Sequence, residues 1–200
     1  MTHTRQLMDR SLAAFRHDLA NRPTPGCGAA AAVAADFGLA LIEKGIAISA
    51  GDNPSPESVS LAHQLEKCSG RLSTFADEDA EAFAAFLKSS GCGASAPAAG
   101  ASDERQSSTC PEAKLINEVP LNAAVTCLDG MRLVESALLA TSPSLRSDVL
   151  AGARMLHCSL QILLRVVDEN LAVLDEQLQN QLRAERNALQ DEADQILSGL

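Results

Sequence analysis

Between residues 29 and 50 the chain is built almost wholly of Ala, Gly, Val, Leu and Ile, broken only by Asp36, Phe37, Glu43, Lys44 and Ser49. Alanine loses the least of any residue on entering a helix and lacks the branched bulk that strands favour, so this segment reads as a helix. Its three charges and weakly hydrophobic alanines argue against a membrane span. What is left is a buried helix with a small-residue face that a neighbour can approach closely. In an acidic soluble protein that neighbour can belong to another subunit.

The rest of the composition points the same way. Hydrophobic residues make up 46% of the 200, enough for a sizeable core, while aromatics are only 2%, with no Trp and no Tyr. Sheet cores lean on aromatic and β-branched residues, so the expectation is all-α: a bundle of about five to six helices, with a long kinked central helix, forming one domain over residues 1–200. A net charge of −10 without an aromatic stacking platform excludes nucleic acid and anionic membrane as natural partners. The six cysteines, Cys27, Cys68, Cys92, Cys110, Cys127 and Cys158, form no C-x-x-C pair, and the first twelve residues hold no apolar run of signal-peptide type. The expected setting is therefore the reducing cytoplasm, with the cysteines as small buried hydrophobes. His3, His17, His63 and His157 lack zinc-ligand spacing, and no metal is expected.

Punctuation along the chain divides it. A short amphipathic helix over residues 9–19 ends at Pro23-Thr24-Pro25-Gly26-Cys27-Gly28. Ser55-Pro56-Glu57 caps and starts a helix reaching about Lys88. Residues 89–110 are rich in Gly, Ser, Ala and Pro without periodicity and read as a mobile loop. Thr109-x-x-Glu112 with Pro111 forms a capping box for a helix to about Ala140, which Pro120 should kink. Ser142-Pro143 opens a very long helix whose stripe is Leu156, Leu160, Leu163, Leu164, Val167, Leu171 and Leu174. A charged outer helix over residues 175–197 closes the chain.

Two carboxylates stand where the helical pattern calls for apolar side chains. In the third helix the stripe runs Leu65, Leu72, Phe75, Asp79, Phe83, Phe86, whereas Asp77, Glu78 and Glu81 fall off it and read as solvated charges. A carboxylate set among phenylalanines must be hydrogen-bonded, paired or shifted toward its neutral form. Asp79 therefore either bonds a backbone amide or an arginine across the bundle, or serves in proton transfer. Asp148 lies early in its helix, as a cap or dipole partner, with Arg146 as its counter-ion or as a contact for a ligand carboxylate. The amides of the Pro23 to Gly28 turn are a third candidate, able to approach a ligand or a facing backbone.

Taken in order, Phe15…Leu19, Pro23-Thr24-Pro25-Gly26-Cys27-Gly28-Ala29-Ala30-Ala31, Asp77-Glu78-Asp79-Ala80-Glu81-Ala82-Phe83, Val119-Pro120-Leu121, Arg146-Ser147-Asp148 and Glu169-Asn170-Leu171 resemble the cyclodeaminase/cyclohydrolase family. That family includes the C-terminal domain of formiminotransferase-cyclodeaminase and bacterial methenyltetrahydrofolate cyclohydrolases, and the resemblance covers about residues 10–195. It implies an all-α homodimer or dimer of dimers with a folate cleft near the subunit interface. It also implies one-carbon chemistry on a tetrahydrofolate derivative, bound as substrate and not as a resident cofactor. The reaction would be loss of ammonia from the formimino form or hydration of the methenyl form. By the resemblance Asp79 is the catalytic proton shuttle, and Pro25, Gly26, Gly28, Arg146, Ser147, Asp148 and Asn170 bind substrate.

The chain departs from the family pattern in places. Cys27 interrupts what is typically a run of three glycines, and Asp52 stands where a basic residue is usual. No Leu-Pro-Lys follows Phe86, and Val166 replaces an asparagine. Lys44 and Lys88 are the candidates to replace the missing positive charge. The alternative to an enzyme is a drifted homologue kept as a helical interaction or regulatory module. A third reading is an enzyme acting on another pterin or an imidazoline-like substrate.

Overall fold

Ser11 takes the backbone N–H of Ala14 on its hydroxyl at 3.2 Å, and the first helix, α1 (Leu12–Asn21), begins at that cap, after a single 3₁₀ turn at Leu7–Asp9. The computed structural model describes residues 7–89 and 111–200, and every regular element in them is helical. The Thr109 cap and residues 90–110 of the expected loop lie outside the described residues. Helix α2 (Cys27–Ala50) ends at Gly51, whose φ of +58° suits a residue without Cβ. Helix α3 (Pro56–Ser89) starts where Ser55 Oγ accepts the Ser58 N–H at 3.1 Å. Its 34 residues make a rod about 50 Å long.

The expected helix to Ala140 is two segments, α4 (Pro111–Arg132) and α5 (Val134–Ala140). The interruption falls at Leu133, whose N–H bonds the Gly130 carbonyl three residues back, whereas the helix passes through Pro120. With α4 and α5 taken as one interrupted rod, the described residues give six rods. Helix α6 (Arg146–Asn170) follows a 3₁₀ turn at Pro143–Leu145, so the start expected at Ser142-Pro143 is a tighter turn before the α-helix proper. Helix α7 (Glu176–Ser198) is capped by Asp175, which accepts the Leu178 N–H at 2.8 Å.

Helices α2, α3, α4 and α6 pack in a ring, each against the next, around Leu39, Ile42, Leu65, Leu72, Leu128, Met131, Leu156 and Leu160, all fully buried. The close neighbour of the small-residue helix is α6 of the same chain. A Cβ added to Gly152 would lie 2.4 Å from the Gly38 carbonyl oxygen, so the two backbones touch where these helices cross. Gly45 gives the same access to Val149, whose Cγ2 would be 2.6 Å from an added Cβ. The two helices run antiparallel, which brings the start of α2 beside the end of α6. The segment Pro143–Val173 is long and apolar enough by composition to cross a membrane. Its stripe Leu156, Leu160, Leu163, Leu164 and Val167 is instead buried in the bundle.

Candidate active site

Helix α2 starts without a side-chain cap, because its N-cap is Gly26. A helix start needs acceptors for its first N–H groups, and its partial positive charge favours an anion. Asp79, half-buried on α3, fills that need: its Oδ2 accepts the Ala29 N–H at 3.2 Å. The approach is possible only because residue 28 is glycine. A Cβ there would stand 2.5 Å from Asp79 Oδ1 and 2.8 Å from Cγ. Of the two readings of Asp79 left open above, the bond to a backbone amide is therefore present. The Oδ1 atom has no hydrogen-bond partner among the described residues. Burial pushes the carboxyl above the ordinary carboxylate range, and the Ala29 N–H pulls back only in part.

Asp79 opens onto a cleft of about 200 Å³. One wall is the turn, through Thr24, Gly26, Cys27 and Gly28; Phe83 comes from α3, Ile116, Val119 and Pro120 from α4, and Val166, Glu169 and Asn170 from α6. The α4 and α6 walls are locked to each other. Pro120 has no N–H to give the carbonyl four residues back, which leaves the Ile116 oxygen free, and Asn170 Nδ2 donates to it at 2.8 Å. In return Asn117 Nδ2 donates to the Asn170 carbonyl at 3.4 Å and to the Ala113 carbonyl at 3.0 Å. Asn117 Oδ1 is buried without a partner among the described residues.

The residues singled out from the sequence divide into two groups. Asp79, Gly26, Gly28 and Asn170 line the cleft, and Pro25 is buried within the turn behind it, joined to Thr24 by a cis peptide bond. Arg146, Ser147 and Asp148 stand at the other end of α6, about 33–36 Å along the helix from Asn170. There Asp148 pairs with Lys44 at 2.7 Å, not with Arg146, because Lys44 reaches it from the facing helix while Arg146 is exposed. Lys44 thus belongs to that end as well.

Asp77 is not a free solvated charge. It is half-buried, and its Oδ1 accepts the Leu7 N–H at 2.9 Å, fastening the N-terminal turn to α3 two residues before Asp79. Thr24 and Cys27 line the cleft as part of the turn expected to approach a ligand, whereas Val166 and Glu169 join it from α6 beyond the site residues singled out from the sequence. One turn of spacing from Asn170 back to Val166 was the available signal for the α6 wall. Among the described residues no three His, Cys, Asp or Glu side chains gather as a metal ion would require.

A family model described as formiminotransferase-cyclodeaminase matches residues 11–188. The solved structure of a formiminotetrahydrofolate cyclodeaminase from Thermotoga maritima is similar at 20% identity, with a TM-score of 0.73 over 96% of this chain and 98% of that one. At that identity the likeness is one of fold. No curated protein matches.

Proposed function

The chain belongs to the formiminotransferase-cyclodeaminase family, and on that footing we propose that it is a one-carbon folate enzyme closing 5-formiminotetrahydrofolate to the methenyl form with loss of ammonia. The observation that supports this most is Asp79, a carboxylate that lines the cleft while one of its oxygens is held by a helix start. In the reaction N10 attacks the amidinium carbon carried on N5, forming a carbon–nitrogen bond. N10 must then lose its proton, and the amino nitrogen must gain one to leave as ammonia. Asp79 takes the first proton and gives it to the departing nitrogen, finishing as it began. A carboxyl raised above its ordinary range by burial holds that proton longer than a solvated one. The same group would take a proton from water attacking the methenyl carbon, so hydration to the 10-formyl form is tested beside deamination.

The assembly and compartment belong to the proposal too. Phe37 and Ile48 are 41% and 59% exposed and share a face of α2 with Leu41 and Lys44, and a second copy covering this face gives a homodimer acting in the cytoplasm.

The test uses wild type and Asp79→Asn, each with a matching circular dichroism spectrum. Ammonia release from formiminotetrahydrofolate and loss of the near-ultraviolet absorbance of methenyltetrahydrofolate are followed. Rates well above the spontaneous ones, collapsing in the variant, support the reading. Background rates in both assays for the folded wild type leave a helical interaction module instead.

A further inference from the structure

Asn117 is fully buried on α4, yet its amide is only partly satisfied. Its Nδ2 donates to two carbonyls, that of Ala113 on its own helix at 3.0 Å and that of Asn170 on α6 at 3.4 Å. Its Oδ1 has no partner among the described residues. Two acceptors around one nitrogen fix the orientation of the amide, because turning it over would set an oxygen against both carbonyls. The orphan oxygen is therefore a consequence of the bonds that the nitrogen makes. A buried acceptor without a donor is costly, and a leucine of similar size would avoid it. Local faults of this kind are expected where a site needs them.

The surroundings of Asn117 show which need this is. It sits between Ile116 and Val119-Pro120, the three residues that make the α4 wall of the cleft. The carbonyl it reaches on α6 belongs to the last residue of that helix. There the chain tightens into the 3₁₀ turn Leu171–Val173, and the Leu174 N–H goes to the Leu171 carbonyl at 3.0 Å and not four residues back to Asn170. Asn170 lines the cleft, and its own Nδ2 occupies the Ile116 carbonyl that Pro120 leaves open. The two amides thus cross, each helix donating a side-chain N–H to a main-chain carbonyl of the other. Without Asn117, the Asn170 side chain would be the one hydrogen bond left among the described residues between the last turn of α6 and α4.

Building on the folate reading, we infer that Asn117 is a positioning residue of the cleft: by holding the Asn170 carbonyl it keeps the Asn170 side chain seated on Ile116 and fixed in the cleft wall. Being fully buried, Asn117 touches no substrate and acts through Asn170. Asp79 stands on α3 and is held by the start of α2, outside this clasp, so its proton chemistry does not depend on Asn117.

The experiment uses the full-length protein carrying Asn117→Leu, with Asn117→Val as a smaller second variant, each checked for fold by circular dichroism. KM for the folate substrate should rise about five- to tenfold, the size of one displaced hydrogen bond. The kcat and the acid limb of its pH profile should change less than about twofold, a split that general loosening of the bundle would not give. In an Asn170→Ala background the same substitution should change KM less than about twofold, because the group it positions is gone. An unchanged KM, a fall in kcat at fixed KM, or an equal rise in both backgrounds overturns the inference. Loss of fold in both variants also overturns it, since Asn117 would then serve the fold alone. A second readout needs no substrate: by NMR, the Asn170 side-chain amide protons should exchange at least about tenfold faster in Asn117→Leu than in wild type, and equal exchange overturns the inference. Wild type without turnover is a different failure, that of the folate reading, and the exchange measurement then decides the role of Asn117 by itself.

Discussion

Gly28→Ala tests whether Asp79 serves as the missing cap of α2. The added Cβ would lie 2.5, 2.8 and 2.9 Å from Oδ1, Cγ and Oδ2 of Asp79, against an ordinary contact of about 3.5 Å, so the carboxyl group must retreat by about 1 Å. The Ala29 N–H to Oδ2 distance, already 3.2 Å, then passes out of hydrogen-bonding range. Losing a bond to a charged group costs about 1.5–3 kcal/mol. Alanine in place of glycine in a helix returns up to about 1 kcal/mol. The net destabilisation is about 0.5–2 kcal/mol, or a Tm lower by about 1–8 °C for a domain of this size. The assay is thermal unfolding of the four members of a double-mutant cycle with Asp79→Ala. In the Asp79→Ala background the clash is gone, and Gly28→Ala should be neutral or stabilising, giving a coupling of about 2 kcal/mol. Equal destabilisation in both backgrounds would refute the argument and put the obstacle elsewhere.

The remaining expectations concern other parts of the same frame. Because burial raises the Asp79 pKa, the acid limb of kcat/KM should lie above the ordinary carboxylate range and vanish in Asp79→Asn; a limb at the ordinary position contradicts the assignment. The same shift fixes the sign for stability. A folded-state pKa above the unfolded one favours the protonated fold, so wild type should lose ground to Asp79→Asn as pH rises through that value, seen in paired unfolding curves. Gly152→Ala drives a Cβ into the Gly38 carbonyl and Ile42 and should cost about 1–3 kcal/mol, measured by urea unfolding; no loss of stability would show that α2 and α6 separate easily. Asn170→Ala leaves the Ile116 carbonyl without its donor and should cost about 1–3 kcal/mol, a penalty that Pro120→Ala reduces by restoring the helical N–H. In native alkylation read by mass spectrometry, Cys27 and Cys158 should react first among the four described cysteines. Buried Cys68 and Cys127, whose thiols desolvation pushes upward, should wait for unfolding.

Local features were legible from the sequence where their cause is local. Ser55 and Asp175 start helices as their side chains predict, and the leucine stripe of α6 is buried as spaced. Asp79 stood out because one acid interrupted an apolar stripe. Its partner could have been deduced as well, since a helix beginning Gly-Cys-Gly has no cap of its own and must borrow one. Long-range substitutions were not legible. Nothing near Pro120 shows that Asn170, fifty residues on, supplies the donor that the Ile116 carbonyl needs, or that the rod is interrupted at Leu133. The distance between Arg146-Ser147-Asp148 and Asp79 follows from the antiparallel run of α2 and α6, which only the packed bundle fixes.

The bare crossing of Gly38 on Gly152 sits near one end of α6, which gives the helix a short arm and a long one. From it α6 extends only about 6 Å to Asp148 but about 21–27 Å to Val166 and Asn170. Tilting α6 about this point by roughly 5° would move the Asn170 end by about 2 Å while the Lys44–Asp148 pair barely stirs. The two glycines, neither of which lines the cleft, set how closely α6 approaches α2, and a methyl group added there that tilted α6 would press on the Asn170–Ile116 bond with several times the displacement it causes at Asp148.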